Sequence, residues 1–193
     1  MTSPIAAQRQ APAKHRLTAS EFRRMAEAGI LREDDRIELI EGELIDMAPI
    51  GSNHASVVAR LNAWLAAAAG GRFIVFPQNP VSLSAHSEPQ PDLALLEPRD
   101  DYYRAALPTA GDVFLLIEVA DTTLDYDSTT KIPLYARAGI AEVWLVNLRD
   151  QAVEVFREPT AQGYGRVTRI ERDQRVASQA FPDLVLHPEK LFR

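Results

Sequence analysis

The sequence predicts an α/β domain in which helices flank a mixed β-sheet, and three observations support this prediction. The longest helical pattern, 53–69, is followed by several short apolar runs typical of strands. One run, 113–117, contains no polar residue, as expected for a strand buried on both faces. A second helical pattern separates this run from another apolar run, 142–147. The element order indicates a mixed sheet: a helix, a hairpin, a long helix, several strands, a helix and further strands.

Length and composition limit the class of protein. The 193 residues, 46% apolar and 25% charged, predict one globular domain over 17–193 after a disordered tail, 1–16, rich in Ala, Pro and Gln. The absence of cysteine excludes disulfides, thiolate metal sites and cysteine catalysis. Neither a signal peptide nor a membrane-spanning run is visible, so we expect a cytoplasmic protein. The net charge of −6 argues against a broad basic surface for nucleic acid.

Local signals place the first elements. Thr18 and Glu21 form a capping-box pattern that begins a helix ending near Gly29. Residues 36–47 predict a hairpin that turns at Glu41 and Gly42. The helix over 53–69 follows, and two glycines, 70–71, end it.

The remaining elements are mostly strands. Patterns predict strands at 73–76, 81–84, 92–96, 113–120, 142–147, 152–157 and 166–171, with loops over 97–111 and 159–165. A helix is expected over 129–138, since Pro133 fits only its first turn and prevents a much earlier start. Residues 188–190 form a turn that could be helical.

Two acids stand at the ends of apolar strands. Glu118 ends the central run, and Asp92, after Pro91, begins the strand before it. A carboxylate ending a buried strand is energetically costly unless it binds something. If the two strands are neighbours, both carboxylates can converge with a backbone carbonyl such as that of Val119, a ligand set that suits Mg²⁺ or Mn²⁺. A lysine at the same point could hold the attacking water.

The same residues carry a family resemblance. The pattern consists of Pro91-Asp92, Ile117-Glu118-Val119 and Asp127-x3-Lys131-x3-Tyr135-Ala136-x2-Gly139-Ile140-x-Glu142-x-Trp144, with the hairpin Glu38-Leu-Ile-Glu-Gly-Glu-Leu44. It resembles the Uma2 (Uma-two) family of putative restriction endonucleases, within the PD-(D/E)XK superfamily, from about residue 17 to 192.

That resemblance implies a restriction-endonuclease-like fold and a metal-dependent endonuclease acting on DNA. Asp92, Glu118 and Val119 would bind Mg²⁺ or Mn²⁺, Lys131 would be the catalytic lysine, and Glu38 would be an additional acid of the site. The superfamily pattern expects the lysine two residues after the second acid, where this chain has Ala120. Lys131 would therefore be a migrated lysine, reaching the site from the next helix. Relatives often pair, so a homodimer is expected by analogy.

Alternatives remain open for individual residues. Asp92 could start a strand or cap a turn, and Glu118 could lie on an exposed sheet edge in a salt bridge. Glu38 could be an outward-facing strand charge, and Lys131 could be solvated at a helix start. Asp127, four residues before Lys131, could orient the lysine or cap the helix, and the structural role is favoured. Tyr135 could touch substrate, but packing is favoured. His54 could contact a phosphate, but an unremarkable position at the helix start is favoured.

The function also has alternatives. The chain could be an inactive nuclease-fold module that binds nucleic acid or protein, a reading that the net charge and the displaced lysine favour. A third possibility is a metal-dependent hydrolase acting on another phosphate substrate.

Overall fold

A six-stranded mixed sheet forms the centre of the protein in a computed structural model, which describes residues 14–32 and 34–193. Its strands are β3 (Ile74–Pro77), β4 (Leu93–Leu96), β5 (Val113–Ala120), β6 (Glu142–Asn147), β7 (Ala152–Thr160) and β8 (Gly163–Ile170), hydrogen-bonded in that order. Strands β5 and β6 are parallel, and the other neighbours are antiparallel. The sheet has helices against it, so the predicted fold class is confirmed.

The N-terminal elements match their sequence signals. Helix α1 (Ala19–Glu27) begins with the Thr18 capping box. A separate hairpin follows, made of β1 (Ile37–Ile40) and β2 (Glu43–Asp46). Helix α2 (Ser52–Ala69) ends at Gly70, which adopts a left-handed conformation. Most of the predicted tail, residues 1–13, lies outside the described residues, and residues 14–16 are exposed coil.

Two apolar clusters cover the two faces of the sheet. One combines α2 with side chains such as Leu93, Leu115 and Ile117. The other contains Leu116, Ala120 and the helix α4 (Ile132–Arg137). Since side chains alternate along a strand, Glu118 lies on the same face as Leu116 and Ala120, which is the face that α4 covers. This alternation directs the Glu118 carboxylate toward α4 rather than α2.

The helix predicted to begin at 129 begins earlier. Helix α3 (Leu124–Tyr126) runs into a π-helical turn (Asp127–Lys131) and then directly into α4. In this turn the Ile132 N–H bonds to the Asp127 carbonyl, one residue further back than in an α-helix. Pro133 therefore lies in the first turn of α4, where its missing N–H is tolerated, although the helical segment continues before it.

Two other predictions were wrong. Residues 81–84 form only isolated bridges, because Pro89 and Pro108, which accept from Val81 and Ser82, have no N–H to donate in return. Residues 159–165 are not a loop, since β7 and β8 pair up to Thr160 and Gly163. Pro159 is tolerated there because β7 has no β6 neighbour beyond Arg157, so its missing N–H breaks no bond on that side.

The last segments close the fold. Short strands β9 (Val176–Ala177) and β10 (Val185–Leu186) pair with each other, and 3-10 turns occur at Ala110–Asp112 and Pro188–Lys190. In the part of the chain that the structure describes, no helix combines the length and the apolar character that a membrane crossing requires.

Candidate active site

Asp92 and Glu118 meet at one edge of the sheet. Leu93 and Ile117 are the final pair of the antiparallel β4–β5 ladder, so the next residue on each strand is an acid. The Asp92 N–H donates to Glu118 Oε2 at 3.4 Å, and the Val119 N–H donates to Asp92 Oδ2 at 2.9 Å. The N–H and C=O of one strand residue point to the same side, so the Val119 carbonyl also faces this edge. The three residues expected to bind a metal therefore lie together.

Lys131 completes the group from the helical segment. Its ammonium lies 2.7 Å from Glu118 Oε1 and 3.0 Å from Glu38 Oε1. The side chain is 5% exposed, so the solvated alternative is wrong. Lys131 is the last residue of the π-helical turn, and α4 packs on the face of the sheet that carries Glu118. This packing brings the displaced lysine to the acid that precedes it in the chain.

Glu38 reaches the site through the small hairpin. Strand β1 is held against the segment before β4 by a bridge between Leu39 and Glu88. Glu38 Oε1 accepts hydrogen bonds from Lys131 and, at 2.7 Å, from the Gln90 backbone N–H. Its side chain is buried, unlike an outward-facing strand charge. The hairpin thus supplies one acid of the site.

Two further residues contact the acids. The Tyr135 hydroxyl donates to Glu118 Oε1, and His54 Nε2 lies 3.0 Å from Asp92 Oδ2. The sequence alone favours packing for Tyr135 and an unremarkable position for His54. The four-residue spacing between Lys131 and Tyr135 was a usable signal, because such residues share a helix face. Nothing in the sequence linked His54 to Asp92.

Asp127 has a structural contact. It accepts a hydrogen bond of 2.6 Å from the Thr123 hydroxyl, while its own N–H bonds to the Thr123 carbonyl. The ion pair with Lys131 suggested by the four-residue spacing is not formed, because the lysine turns toward Glu118 and Glu38. The π-helical turn, in which a residue bonds five positions back, removes the alignment of residues four apart.

The site holds more negative than positive charge. Glu38, Asp92, Glu118 and Asp127 are all buried, and Lys131 is the ammonium among them. Burial raises the pKa of Glu118 to about 8, against the opposing effect of Lys131 and with the support of the neighbouring carboxylates. Burial also raises the pKa of Asp127.

The cations of the site respond to these carboxylates. Burial disfavours the charged form of Lys131, but the carboxylate of Glu118 and other nearby groups raise the lysine pKa well above its ordinary value. The hydrogen bond to Asp92 raises the pKa of His54. Both groups therefore gain a preference for the charged form from the acids around them.

These residues line a cavity of about 410 Å³. Glu38, Asp92, Glu118 and Lys131 are among its walls, as is Tyr126. The Tyr126 hydroxyl and His54 Nδ1 are buried atoms with no hydrogen-bond partner.

Within residues 14–32 and 34–193, no three His, Cys, Asp or Glu side chains are grouped so as to hold a metal alone. Asp92 and Glu118 offer two carboxylates, which the Val119 carbonyl and water would have to complete.

A mixed sheet with helices against it defines an α/β fold, and Asp92, Glu118 and Lys131 form a candidate active site beside its central strands. The family model described as "Putative restriction endonuclease", Uma2, matches residues 19–189. The chain therefore belongs to the Uma2 family, and the predicted family is confirmed.

A solved structure has the same fold. It is titled a putative nuclease belonging to DUF820, from Anabaena variabilis, and it superposes with a TM-score of 0.70 at 19% identity. The match covers 91% of this chain and 97% of that one. Among curated proteins, no sequence matches this chain.

Proposed function

We propose that the protein is a Mg²⁺- or Mn²⁺-dependent endonuclease that hydrolyses DNA phosphodiester bonds. The observation that carries the proposal is the contact of 2.7 Å between the Lys131 ammonium and Glu118 Oε1, beside Asp92. Three residues distant in the sequence meet in one cavity and supply two carboxylates and a cation. Membership in a family described as "Putative restriction endonuclease" supports the same reaction class.

The donor set fits a divalent cation. Asp92 and Glu118 provide hard carboxylate oxygens, and the Val119 carbonyl faces the same edge of the sheet. The buried carboxylates exceed the positive charges, which a cation would offset. Asp92, Glu118 and Val119 would hold the ion, which would supply Lewis-acid polarisation of the phosphate and a lowered pKa for water.

The chain's own residues would position the phosphate and the metal-binding carboxylates. The Lys131 ammonium would face the phosphate and stabilise the negative charge that develops on its oxygens, as preorganised cations do in phosphoryl-transfer sites. Glu38 would hold that ammonium through its contact of 3.0 Å, and the Tyr135 hydroxyl would fix the Glu118 carboxylate. His54 would fix the Asp92 carboxylate from α2.

Cleavage of plasmid and oligonucleotide DNA tests the proposal. We expect cleavage with Mg²⁺ or Mn²⁺ that EDTA abolishes, and a loss of at least about 100-fold in rate for Asp92→Asn and Lys131→Met. The chain has two exposed lysines, so Lys14→Met and Lys190→Met are matched controls that should keep the parent rate. Cleavage by Lys131→Met at the parent rate would contradict the proposal.

A second function, an inactive nuclease-fold binding module, is favoured by one observation. Lys131 is already engaged by two carboxylates, Glu38 and Glu118, within an acidic cavity. Calorimetry separates the two functions, because a nuclease must bind Mn²⁺ at Asp92 and Glu118. Absence of Mn²⁺ binding by folded protein would support the module. Hydrolysis of small phosphoesters without any cleavage of DNA would instead indicate another phosphate substrate.

A further inference from the structure

The reacting groups lie at the bottom of a recess. The side chains of Glu38, Glu118 and Lys131 are each no more than 5% exposed. The cavity above them, about 410 Å³, has the size of a small-ligand pocket. Such a recess can receive a base of a regular duplex only after that base is unpaired and unstacked. An unpaired strand can bend into it.

One wall of the cavity is apolar. It consists of Ile45 and Met47, with Pro49 and Ile50 on the connection from β2 to α2. Ile50 is 42% exposed, which makes it one of the large apolar side chains that the fold leaves open. This wall and the acidic floor line the same cavity, so one ligand can touch both. A flat apolar group linked to a phosphate matches this arrangement, and a nucleobase is such a group.

The charges around the cavity argue against a duplex. Of the described residues that line it, two, Arg36 and Lys131, are arginine or lysine. Lys131 is already paired with two carboxylates, and Arg36 donates to the Ala48 carbonyl at 3.1 Å. Duplex binding relies on many phosphate contacts from basic side chains. A cavity with so few basic side chains therefore favours a ligand whose bases add contacts to those of its phosphates.

The Tyr126 hydroxyl is a further polar group near the cavity. Tyr126 belongs to the cavity lining, and its buried hydroxyl has no hydrogen-bond partner. A buried hydroxyl without a partner is unfavourable, and a small side-chain rotation would let it bond to a polar atom of a bound nucleotide.

We propose that the substrate is an unpaired nucleotide segment, a single strand or a frayed or extruded nucleotide. Its base lies against the wall formed by Ile45, Met47, Pro49 and Ile50, and its phosphate lies at the acidic floor. This inference rests on the proposed nuclease function and narrows its substrate to unpaired DNA.

Binding of fluorescent oligonucleotides in EDTA, where the proposed cleavage is blocked, tests the inference. Three ligands of equal length are compared by anisotropy: a single strand of thymidines, a duplex, and an abasic strand with the same phosphates but no bases. We expect the thymidine strand to bind at least about tenfold more tightly than either of the others. Equal or tighter binding of the duplex would overturn the inference.

Variants of the wall test where the base lies. Ile50→Ala and Met47→Ala should each weaken binding of the thymidine strand by about fivefold, as expected for loss of two to three carbon groups from an apolar contact, and leave the abasic strand unchanged. Ile30→Ala removes an isoleucine elsewhere that is more exposed, 66% against 42% for Ile50, and serves as the control, with thermal denaturation confirming that all variants fold. Unchanged binding of the thymidine strand by both wall variants would contradict the assigned position of the base.

Cleavage assays separate this inference from the function on which it rests. Faster cleavage of duplex than of single strand would overturn the choice of substrate and leave the nuclease intact. Tight, base-dependent binding of the single strand without cleavage in Mg²⁺ or Mn²⁺ would support the binding mode and contradict the nuclease. Absence of binding and cleavage for every DNA would overturn both.

Discussion

The Lys131 ammonium lies 2.7 Å from Glu118 Oε1, and Lys131 is the last residue of a π-helical turn. The turn lets one continuous helical segment run from β5 to α4 while Pro133 stays in the first turn of α4. The lysine then faces the sheet beside Tyr135, which donates to the same carboxylate oxygen. A local widening of the helix thus connects a displaced lysine to the acid of the central strand.

Replacing Lys131 by methionine should destabilise the metal-free protein by about 3 kcal/mol, because Glu118 and Glu38 would remain buried without their cation. Urea unfolding in EDTA measures this loss. Lys190→Met, an exposed lysine, should change the free energy of unfolding by less than about 0.5 kcal/mol. A Lys131→Met protein as stable as the parent would show that the ammonium is not needed to hold the acids together.

Loss of the hydroxyl should have different effects on stability at two tyrosines near the site, Tyr135 and Tyr126. Tyr135→Phe removes a hydrogen bond to a buried carboxylate and should cost about 2 kcal/mol in the free energy of unfolding. Tyr126→Phe removes a hydroxyl without a partner, so stability should stay the same or rise. Thermal denaturation of both variants, compared with the parent, is the measurement. A clear loss of stability in Tyr126→Phe would mean that its hydroxyl has a structural partner.

Glu142 should prove structural although it is a buried acid like Glu118. Its carboxylate is satisfied by Trp144, by Arg157 and by Ser178 together with the backbone of Gln179.

Glu142→Gln should therefore destabilise the fold by about 3 kcal/mol, because Arg157 loses its buried partner, and leave the affinity for Mn²⁺ unchanged. Urea unfolding and calorimetry check the two parts. A loss of Mn²⁺ affinity in folded Glu142→Gln would place this acid in the metal site.

The metal-free protein should lose stability as the pH rises from 6 to 8. Glu118 has a folded-state pKa of about 8, above its unfolded value, so the folded state binds the proton more tightly than the unfolded state does. The stabilisation that this proton gives the fold is lost as the pH rises through that pKa. His54 acts in the same direction, since a raised histidine pKa stabilises the fold only while the ring is charged.

Glu118 alone would lower the free energy of unfolding by up to about 1.4 kcal/mol per pH unit. Glu118→Gln should flatten the curve measured by urea unfolding in EDTA. Since metal binding needs the ionised carboxylate, Mg²⁺ should bind up to about tenfold more tightly per pH unit over the same range and level off above pH 8. A Mg²⁺ affinity independent of pH would contradict a role for Glu118 as a ligand.

Some parts of the fold and site were accessible from sequence because their causes are local. The capping box at Thr18, the hairpin turn at Glu41 and Gly42, and the unbroken apolar run before Glu118 each act within a few residues. The same locality explains the errors. The sequence predicts no helix much before Pro133 and a loop over 159–165, but Pro133 follows a widened helical turn and Pro159 lies where β7 has no β6 neighbour.

The sequence by itself determined which chemical groups the protein has and which strands end in acids, because residue type and apolar patterning express local preferences. Only the tertiary structure decided that Asp92 and Glu118 end adjacent antiparallel strands, that Lys131 turns toward them, and that Glu38 and His54 arrive from a hairpin and a helix elsewhere in the chain. The physical reason is that these contacts depend on strand register and on helix packing across the sheet. Both are set by burial of the whole core rather than by any short segment.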